Sequence, residues 1–246
     1  MARAYIQLLL AIAAAGGVVG ASTVRTPVAR NAAVSDALQA FLARPAVPHE
    51  YRASRRLEAA GVGQRGWLDV QTGFSHASGF FYEVISEGGS GYIRSRVLHS
   101  LLDEERRLIA QNATPQVALS PANYTFEPDT VDADGLAVVS ITPRRKERAL
   151  IDGRIFLTPG DGVLVRVEGR LARTPSFWVS RVNVVRTYER INGVLMPVSL
   201  QTTAQLRLFG SSSLRMTYHY SQLDDRPVVE AAAGSGGPCL AGGPAC

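Results

Sequence analysis

The chain has 246 residues, of which 46% are hydrophobic and 19% charged, a composition that excludes a disordered or fibrous protein. Its formal charge is +5, and nearly all the positive charge is arginine because Lys146 is the only lysine. The arginines are spread along the chain rather than gathered into one basic run, so nucleic acid is not expected as a partner.

The first 21 residues have the layout of a secretory signal peptide. Arg3 supplies an early positive charge, an apolar stretch runs from Ile6 to Val19, and small residues lead to a predicted cleavage after Ala21. The apolar stretch is shorter than the roughly 20 residues that a spanning helix needs, which favours cleavage over a membrane anchor. We therefore expect an exported, periplasmic protein.

Residues 22–48 are predicted to form a short helix and a linker. Ser35 can cap the helix SDALQAFLAR, and prolines end it. Its apolar face consists of Leu38, Phe41 and Leu42. We interpret this helix as a small lid or strap. From Tyr51 the apolar residues recur with period two, which predicts the first strand of a domain spanning residues 49–224.

A hairpin and one long helix follow in the predicted order. Trp67–Thr72 and Gly79–Ser86 pair across the segment GFSHAS. Residues 87–112, EGGSGYIRSRVLHSLLDEERRLIAQN, predict a glycine-rich turn followed by an amphipathic helix. Its apolar stripe consists of Ile93, Val97, Leu98, Leu101, Leu102, Leu108 and Ile109.

The second half of the chain predicts six consecutive strands with one polar face each. They are Leu136–Pro143, Leu150–Pro159, Gly162–Arg173, Ser176–Arg190, Val194–Leu208 and Ser213–Ser221. Asn192-Gly193 predicts a tight hairpin turn, because both residues tolerate positive φ, and Gly160-Asp161-Gly162 predicts another. The pattern is typical of an antiparallel sheet in which every strand lies beside its sequence neighbour.

The predicted sheet has a wider apolar face than the predicted helices can cover. A helix with its side chains is only about 10–12 Å across, whereas the sheet has about ten strands at about 4.8 Å each. We therefore expect an apolar cavity in which aromatic, aliphatic and thioether side chains hold a flexible chain. The candidate cavity residues are Trp67, Phe81, Leu98, Leu101, Leu102, Val165, Val167, Trp178, Val182, Val184, Met196, Val198, Leu200, Met216 and Tyr218.

Three stretches resemble the outer-membrane lipoprotein-sorting proteins, the superfamily that includes the carrier LolA and the stress-sensor subunit RseB. They are LIDGRIFLTPGDGVLVRVEGRL, SFWVSRVNVVRTYERINGVLMPVSL and LRMTYHY, and the resemblance covers residues 51–221. It implies a mainly β (α+β) fold, in which a curved antiparallel sheet forms a half-open β-barrel wrapped around one long helix. It also implies a periplasmic carrier that binds lipid or the acyl chains of lipoproteins. We expect the protein to be a monomer. No functional residue of the family is carried over, because the cavity arginine and lid contacts of the carrier have no match here.

Two other functions are compatible with the sequence. The same fold serves an envelope sensor or protein-interaction module, whose partner would be another envelope protein. A membrane-embedded β-barrel also has alternating strands of about ten residues, but the charged helix in mid-chain argues against it.

No residue pattern predicts catalysis, a cofactor or a metal. In GFSHASG, Ala77 stands where a nucleophile elbow needs glycine, and adjacent strand residues point to opposite sides. The histidines His49, His76, His99 and His219 lack the spacing of a metal site. We therefore expect a binding protein rather than an enzyme.

Two basic segments are candidate contacts for anionic lipid headgroups. The glycine-rich start of the long helix aims backbone N–H groups outward beside Ser90, Arg94 and Arg96, although a plain turn capped by Ser90 is the simpler interpretation. The hairpin tip PRRKER (143–148) could contact a membrane peripherally or remain solvated.

The C-terminal residues 225–246 are predicted to be a disordered tail rich in Gly, Ala and Pro. Both cysteines, Cys239 and Cys246, lie in it. They could close a local disulfide or bond to another chain, although an incidental tail is the interpretation we favour.

Overall fold

A computed structural model describes residues 27–43, 48–208 and 210–228. The predicted signal peptide (1–21) and the cysteines of the predicted tail lie outside the described residues. Within the described part, no helix is both long and apolar enough to cross a membrane.

The described residues form a mainly β fold with one curved, open, antiparallel sheet. Its eleven strands are β1 (Glu50–Gly61), β2 (Gln64–Ser75), β3 (Gly79–Gly89), β4 (Tyr124–Val131), β5 (Ala137–Pro143), β6 (Ile151–Leu157), β7 (Leu164–Leu171), β8 (Val179–Ile191), β9 (Val194–Leu206), β10 (Gly210–Leu223) and β11 (Arg226–Pro227). The predicted hairpin across GFSHAS and the six later strands are confirmed. The sheet extends past the expected domain end at 224, because β11 pairs with Gln222 and Leu223.

The hairpin turns follow from residues that adopt positive φ. Asn192 and Gly193 have φ of 51° and 84°, and Gly160 and Gly162 have φ of 84° and 56°. These values confirm the two predicted turns, since a tight primed hairpin requires left-handed residues at its centre.

Strand order departs from the expected simple meander. The order is β3-β2-β1-β10-β9-β8-β7-β6-β5-β4, so β1 pairs with β10 from Tyr51 to Gly61, and β3 and β4 lie at opposite edges. The expectation that each strand lies beside its sequence neighbour is therefore wrong for β3 and β4. β4 itself was not predicted, because its sequence YTFEPDTV carries a proline and two acids and its side chains are mostly exposed.

Two helices cover the inner face of the sheet, which is the face that carries the core. Helix α1 (Pro27–Leu42) begins earlier than predicted. The predicted long helix is confirmed as α2, a continuous helix made of an α-turn (Gly91–Ile93), a π-helical segment (Arg94–His99) and an α-helical segment (Ser100–Ala110). A short 3-10 turn, Thr114–Gln116, follows it on the way to β4.

The core on the inner face is divided into two clusters. In the first, α2 packs Val97, Leu98, Leu101 and Leu102 against β1, β2, β8, β9 and β10. In the second, α1 inserts Val34, Ala37, Leu38 and Phe41 among residues of β4 to β7. Helix α1 is therefore part of the core rather than a strap, since Val34 and Ala37 are fully buried.

Candidate ligand-binding cavity

A cavity of ≈ 490 Å³ lies on the inner face, at the end of the sheet where β1 and β3 begin and β2 and β10 end. Strand β8 crosses it, with Val184 in the first core cluster, Arg186 in the cavity wall and Tyr188 in the second cluster. Its walls are mostly aromatic and aliphatic and are formed by Pro48, Tyr51, Phe74, Ile109, Ala110, Pro115, Pro197, Tyr218 and Tyr220, with Ser75, His76, Gly79, Asn112 and Thr114 beside them. Three charged groups, Arg55, Glu105 and Arg186, complete the lining.

A buried ion pair joins the sheet to α2 at the wall of this cavity. Arg55 Nη1 donates to Glu105 Oε2 at 2.7 Å, and Arg55 Nη2 donates to Glu105 Oε1 at 3.2 Å and to Tyr51 Oη at 2.8 Å. The side chains of Arg55 and Glu105 are only 1% and 5% exposed. The bidentate geometry fits the planar guanidinium fork, which makes such pairs both strong and directional.

Aromatic rings enclose the Arg55 guanidinium. Its Cζ lies 4.7 Å from the centroid of the Tyr218 ring and 5.1 Å from that of Phe80, within the range of cation–π contacts. Burial by itself would lower the pKa of Arg55, but the negative charge of Glu105 raises it well above its ordinary value. Arg55 is therefore a permanent cation inside the core.

The hydroxyl of Tyr218 is a buried polar group in the cavity wall. Its oxygen is buried and has no hydrogen-bond partner among the described residues, whereas Tyr220 Oη donates to the Pro197 carbonyl at 2.8 Å. The two rings stack with centroids 6.2 Å apart. Burial raises the pKa of Tyr218, so its hydroxyl remains a proton donor at neutral pH. An unsatisfied buried hydroxyl costs about 1–3 kcal/mol, which makes it the natural contact for a polar ligand atom.

Arg186 is the second cation of the lining. It is 4% exposed, and its Cζ lies 5.3 Å from the centroid of the Tyr188 ring. Burial by itself would lower the pKa of Arg186, but the neighbouring tyrosines and Glu105 raise it. Two arginines and one carboxylate therefore line the cavity among the described residues.

Most of the predicted cavity residues are packed core instead. Of the predicted set, Tyr218 lines the cavity. Eight members belong to the first core cluster at 5% exposure or less: Leu98, Leu101, Leu102, Val182, Val184, Met196, Leu200 and Met216. Val167 lies in the second cluster at 2% exposure. The sheet surface beneath α2 is therefore filled by the protein's own side chains, and the cavity lies beside this core.

Three predicted aromatic residues lie away from the inner face. Trp67 alternates with the buried Leu68 in β2 and therefore lies on the outer face of the sheet. There its ring stacks under Arg56, whose Cζ is 4.0 Å from the centroid of the Trp67 ring. Phe81 is 43% exposed, because in β3 it is Phe80 that points inward. Trp178 is 44% exposed in the loop before β8, edge-on to Phe177.

Two predicted valines are displaced by bulges. In β7, Leu164 pairs with Leu157 and Arg166 pairs with Phe156, so Val165 is an extra residue. In β9, Pro197 pairs with Tyr188 and Ser199 pairs with Thr187, so Val198 is an extra residue. Both are half-buried. A bulge changes which side chains face inward, and simple alternation cannot locate it.

The predicted headgroup residues belong to a capped helix start outside the cavity. Ser90 Oγ accepts from the Ile93 N–H at 3.5 Å and donates to Gln64 Oε1 at 2.5 Å. Arg94 pairs with Glu87, and Arg96 is exposed. The simpler interpretation, a turn capped by Ser90, is confirmed.

The charged part of the cavity was not predicted, although the sequence carries a signal for it. Arg55 occupies the inward parity of β1 between Ala53 and Leu57, and Arg186 occupies the inward parity of β8 between Val184 and Tyr188. Charged residues are almost never fully buried unless they are paired. An arginine on the face of a strand that is otherwise apolar therefore indicates a buried polar site.

Comparisons with known proteins add little to this description. No family model matches the chain, and no curated protein matches it. Among solved structures, the fold is similar to a DUF1329 family protein from Desulfovibrio piger, with 9% sequence identity, a TM-score of 0.35, and coverage of 76% of this chain and 90% of that chain. A match at this TM-score carries no argument about fold family or function.

Proposed function

We propose that this protein is a carrier that binds an amphipathic lipid, or the acyl chain of a lipidated protein, in the inner-face cavity without catalysis. The curved sheet would then act as a half-open β-barrel around α2, as the resemblance to the lipoprotein-sorting proteins implies. The predicted export of the chain favours an envelope compartment.

The observation that carries the proposal is an aromatic and aliphatic cavity whose wall includes the buried Tyr218 hydroxyl, which has no hydrogen-bond partner within the described part of the chain. Its volume of ≈ 490 Å³ falls within the range of about 300–1,000 Å³ typical of small-ligand sites. Such sites combine mostly apolar walls with a few polar groups that orient the ligand. Here the polar groups converge at Arg55, Glu105, Arg186 and Tyr218.

The lining favours a lipid whose head carries a hydrogen-bond acceptor, because the buried Tyr218 hydroxyl has no partner among the described residues. An acyl chain would contact the Pro, Tyr, Phe and Ile walls, with a gain of about 0.8 kcal/mol per buried methylene. A carboxylate or phosphate would accept a hydrogen bond from Tyr218.

The proposal is tested by recovering a bound ligand from the purified protein and by displacing a fluorescent probe from it. Native mass spectrometry of the purified protein should reveal a bound lipid, and a fluorescent fatty acid should bind and be displaced by palmitate and by lysophosphatidylglycerol. Tyr218→Phe should weaken binding by up to about tenfold, since one hydrogen bond contributes about 0.5–1.5 kcal/mol. Ala110→Trp should block binding by filling the cavity.

Tyr92→Phe is the matched control, because Tyr92 is exposed at the far end of the sheet and its hydroxyl does not line the cavity. It should bind the probe like the unaltered protein. Absence of a co-purified lipid together with probe binding that neither cavity substitution changes would refute the proposal.

A further inference from the structure

The exposed apolar side chains are concentrated at one end of the sheet. Seven large hydrophobic residues are exposed in the described part of the chain, and five of them lie at this end, four in turns or loops and Tyr92 in the first turn of α2. We call these five residues the turn surface: Val62 (61% exposed), Tyr92 (51%), Phe177 (73%), Trp178 (44%) and Leu208 (68%).

Strand register brings these residues to a common end. Val62 follows the end of β1, and Gly61 pairs with Ser212 near the start of β10. Leu208 follows the end of β9, whose Leu206 pairs with both Gly210 and Val179. Phe177 and Trp178 directly precede β8.

Direct contacts hold the residues at both ends of the turn surface beside the neighbouring strands. The Arg207 N–H donates to the Trp178 carbonyl at 3.0 Å, and Arg207 Cζ lies 5.1 Å from the Phe177 centroid. Near Tyr92, the Ser90 N–H donates to the Arg65 carbonyl at 2.7 Å. From β3 to β8 the surface spans five strand spacings, about 24 Å at about 4.8 Å each.

The turn surface is surrounded by positive charge. Exposed arginines lie within or beside its segments: Arg65, Arg96, Arg173, Arg181 and Arg207. The segments that carry the apolar residues (62–63, 90–93, 172–178 and 207–208) contain no Asp or Glu. Nearby Glu87 is paired with Arg94, and Asp152 with Arg170. A second copy of this chain would bring arginine against arginine, which disfavours self-association here.

We propose that the turn surface docks onto an anionic lipid bilayer, with Phe177, Trp178 and Leu208 at the headgroup level and the surrounding arginines on lipid phosphates. Trp and Tyr are enriched at membrane interfaces because their rings combine an apolar body with a polar edge. Basic residues beside them are attracted to anionic lipids. The cavity lies at the opposite end of β1 and β2, so this inference does not depend on the cavity's ligand.

The experiment uses Trp178 as its own reporter. The chain has two tryptophans, so Trp67→Phe leaves Trp178 as the single emitter. Vesicles of phosphatidylcholine with phosphatidylglycerol should shift its emission to shorter wavelength, and brominated acyl chains should quench it. Vesicles of phosphatidylcholine alone should do neither.

Vesicle flotation of variants tests the residues. Phe177→Ser with Leu208→Ser should reduce binding about tenfold or more, because each side chain would no longer bury its apolar surface. Arg173→Gln with Arg181→Gln should reduce it about fivefold per arginine. The matched controls are Phe81→Ser with Ile85→Ser on the outer face of β3, and Arg52→Gln with Arg226→Gln at the other end of the strands, and both should bind like the unaltered protein.

Several results would overturn this inference. They are unchanged Trp178 emission with anionic vesicles, equal binding to neutral vesicles, or equal loss in the control variants. A dimer in analytical ultracentrifugation that the Phe177 and Leu208 substitutions abolish would assign the surface to a second copy instead. Fatty-acid probe binding to the same variants should remain normal, which separates this test from that of the cavity.

Discussion

The buried pair between Arg55 and Glu105 makes the sharpest stability prediction. Glu105→Gln keeps the size of the side chain but removes its charge and turns one acceptor into a donor that faces the guanidinium. Arg55 is 2% exposed, so solvent compensates little of its charge. Loss of one member of a buried pair costs about 3–5 kcal/mol because the remaining charge is left uncompensated.

That cost is a large fraction of the roughly 5–15 kcal/mol that holds a typical domain folded. For a domain of this size it corresponds to a fall in Tm of roughly 6–20 °C, at about 2–4 °C per kcal/mol. Urea unfolding followed by circular dichroism should show a lower midpoint with an unchanged slope.

Glu104→Gln on the same helix is the matched control. Glu104 pairs with Arg107, whose side chain is 47% exposed, and a pair of that kind contributes at most about 1 kcal/mol. The double variant Arg55→Met with Glu105→Leu should recover most of the loss, since apolar replacement of both members is often neutral or stabilising. If Glu105→Gln shifted the midpoint no more than Glu104→Gln, the reasoning would be refuted.

Three further predictions concern the helix contacts and the buried tyrosines. Gly162→Ala should destabilise the protein by several kcal/mol more than Gly160→Ala in urea unfolding. Both glycines have positive φ, but only at Gly162 would an added Cβ meet the Ala37 carbonyl oxygen, at 2.1 Å. Equal losses of stability in the two variants would contradict a close approach of α1 to this turn. Phe41→Ala should lower the free energy of unfolding by about 3–5 kcal/mol in the same assay, since Phe41 is buried in the second cluster. A decrease of less than about 1 kcal/mol would place α1 outside the core. Burial and a hydrogen bond to Asp103 raise the pKa of Tyr82 to about 12, and burial raises that of Tyr51, Tyr124, Tyr188, Tyr218 and Tyr220. Raised tyrosine pKa values contribute stability that is complete below the ordinary value of about 10 and is lost as the pH rises through the raised values. Phenolate absorbance should therefore lag behind that of the urea-unfolded chain, and coincident titration curves would contradict the burial.

The amino-acid sequence by itself determined the local structure. Period-two alternation located nine of the eleven strands, Asn192-Gly193 and Gly160-Asp161-Gly162 located two turns, and the apolar stripe from Ile93 to Ile109 located α2. These features depend on backbone preferences and on one-sided burial, which are legible within a window of about ten to twenty residues.

The tertiary structure alone decided which strands meet and where space remains. The pairing of β1 with β10 joins residues 151 to 172 positions apart, and no local pattern specifies it. Bulges at Val165 and Val198 changed the faces that alternation predicts. The cavity lies beside two inward arginines and the C-terminal part of α2, because the apolar side chains under the rest of that helix close up on one another.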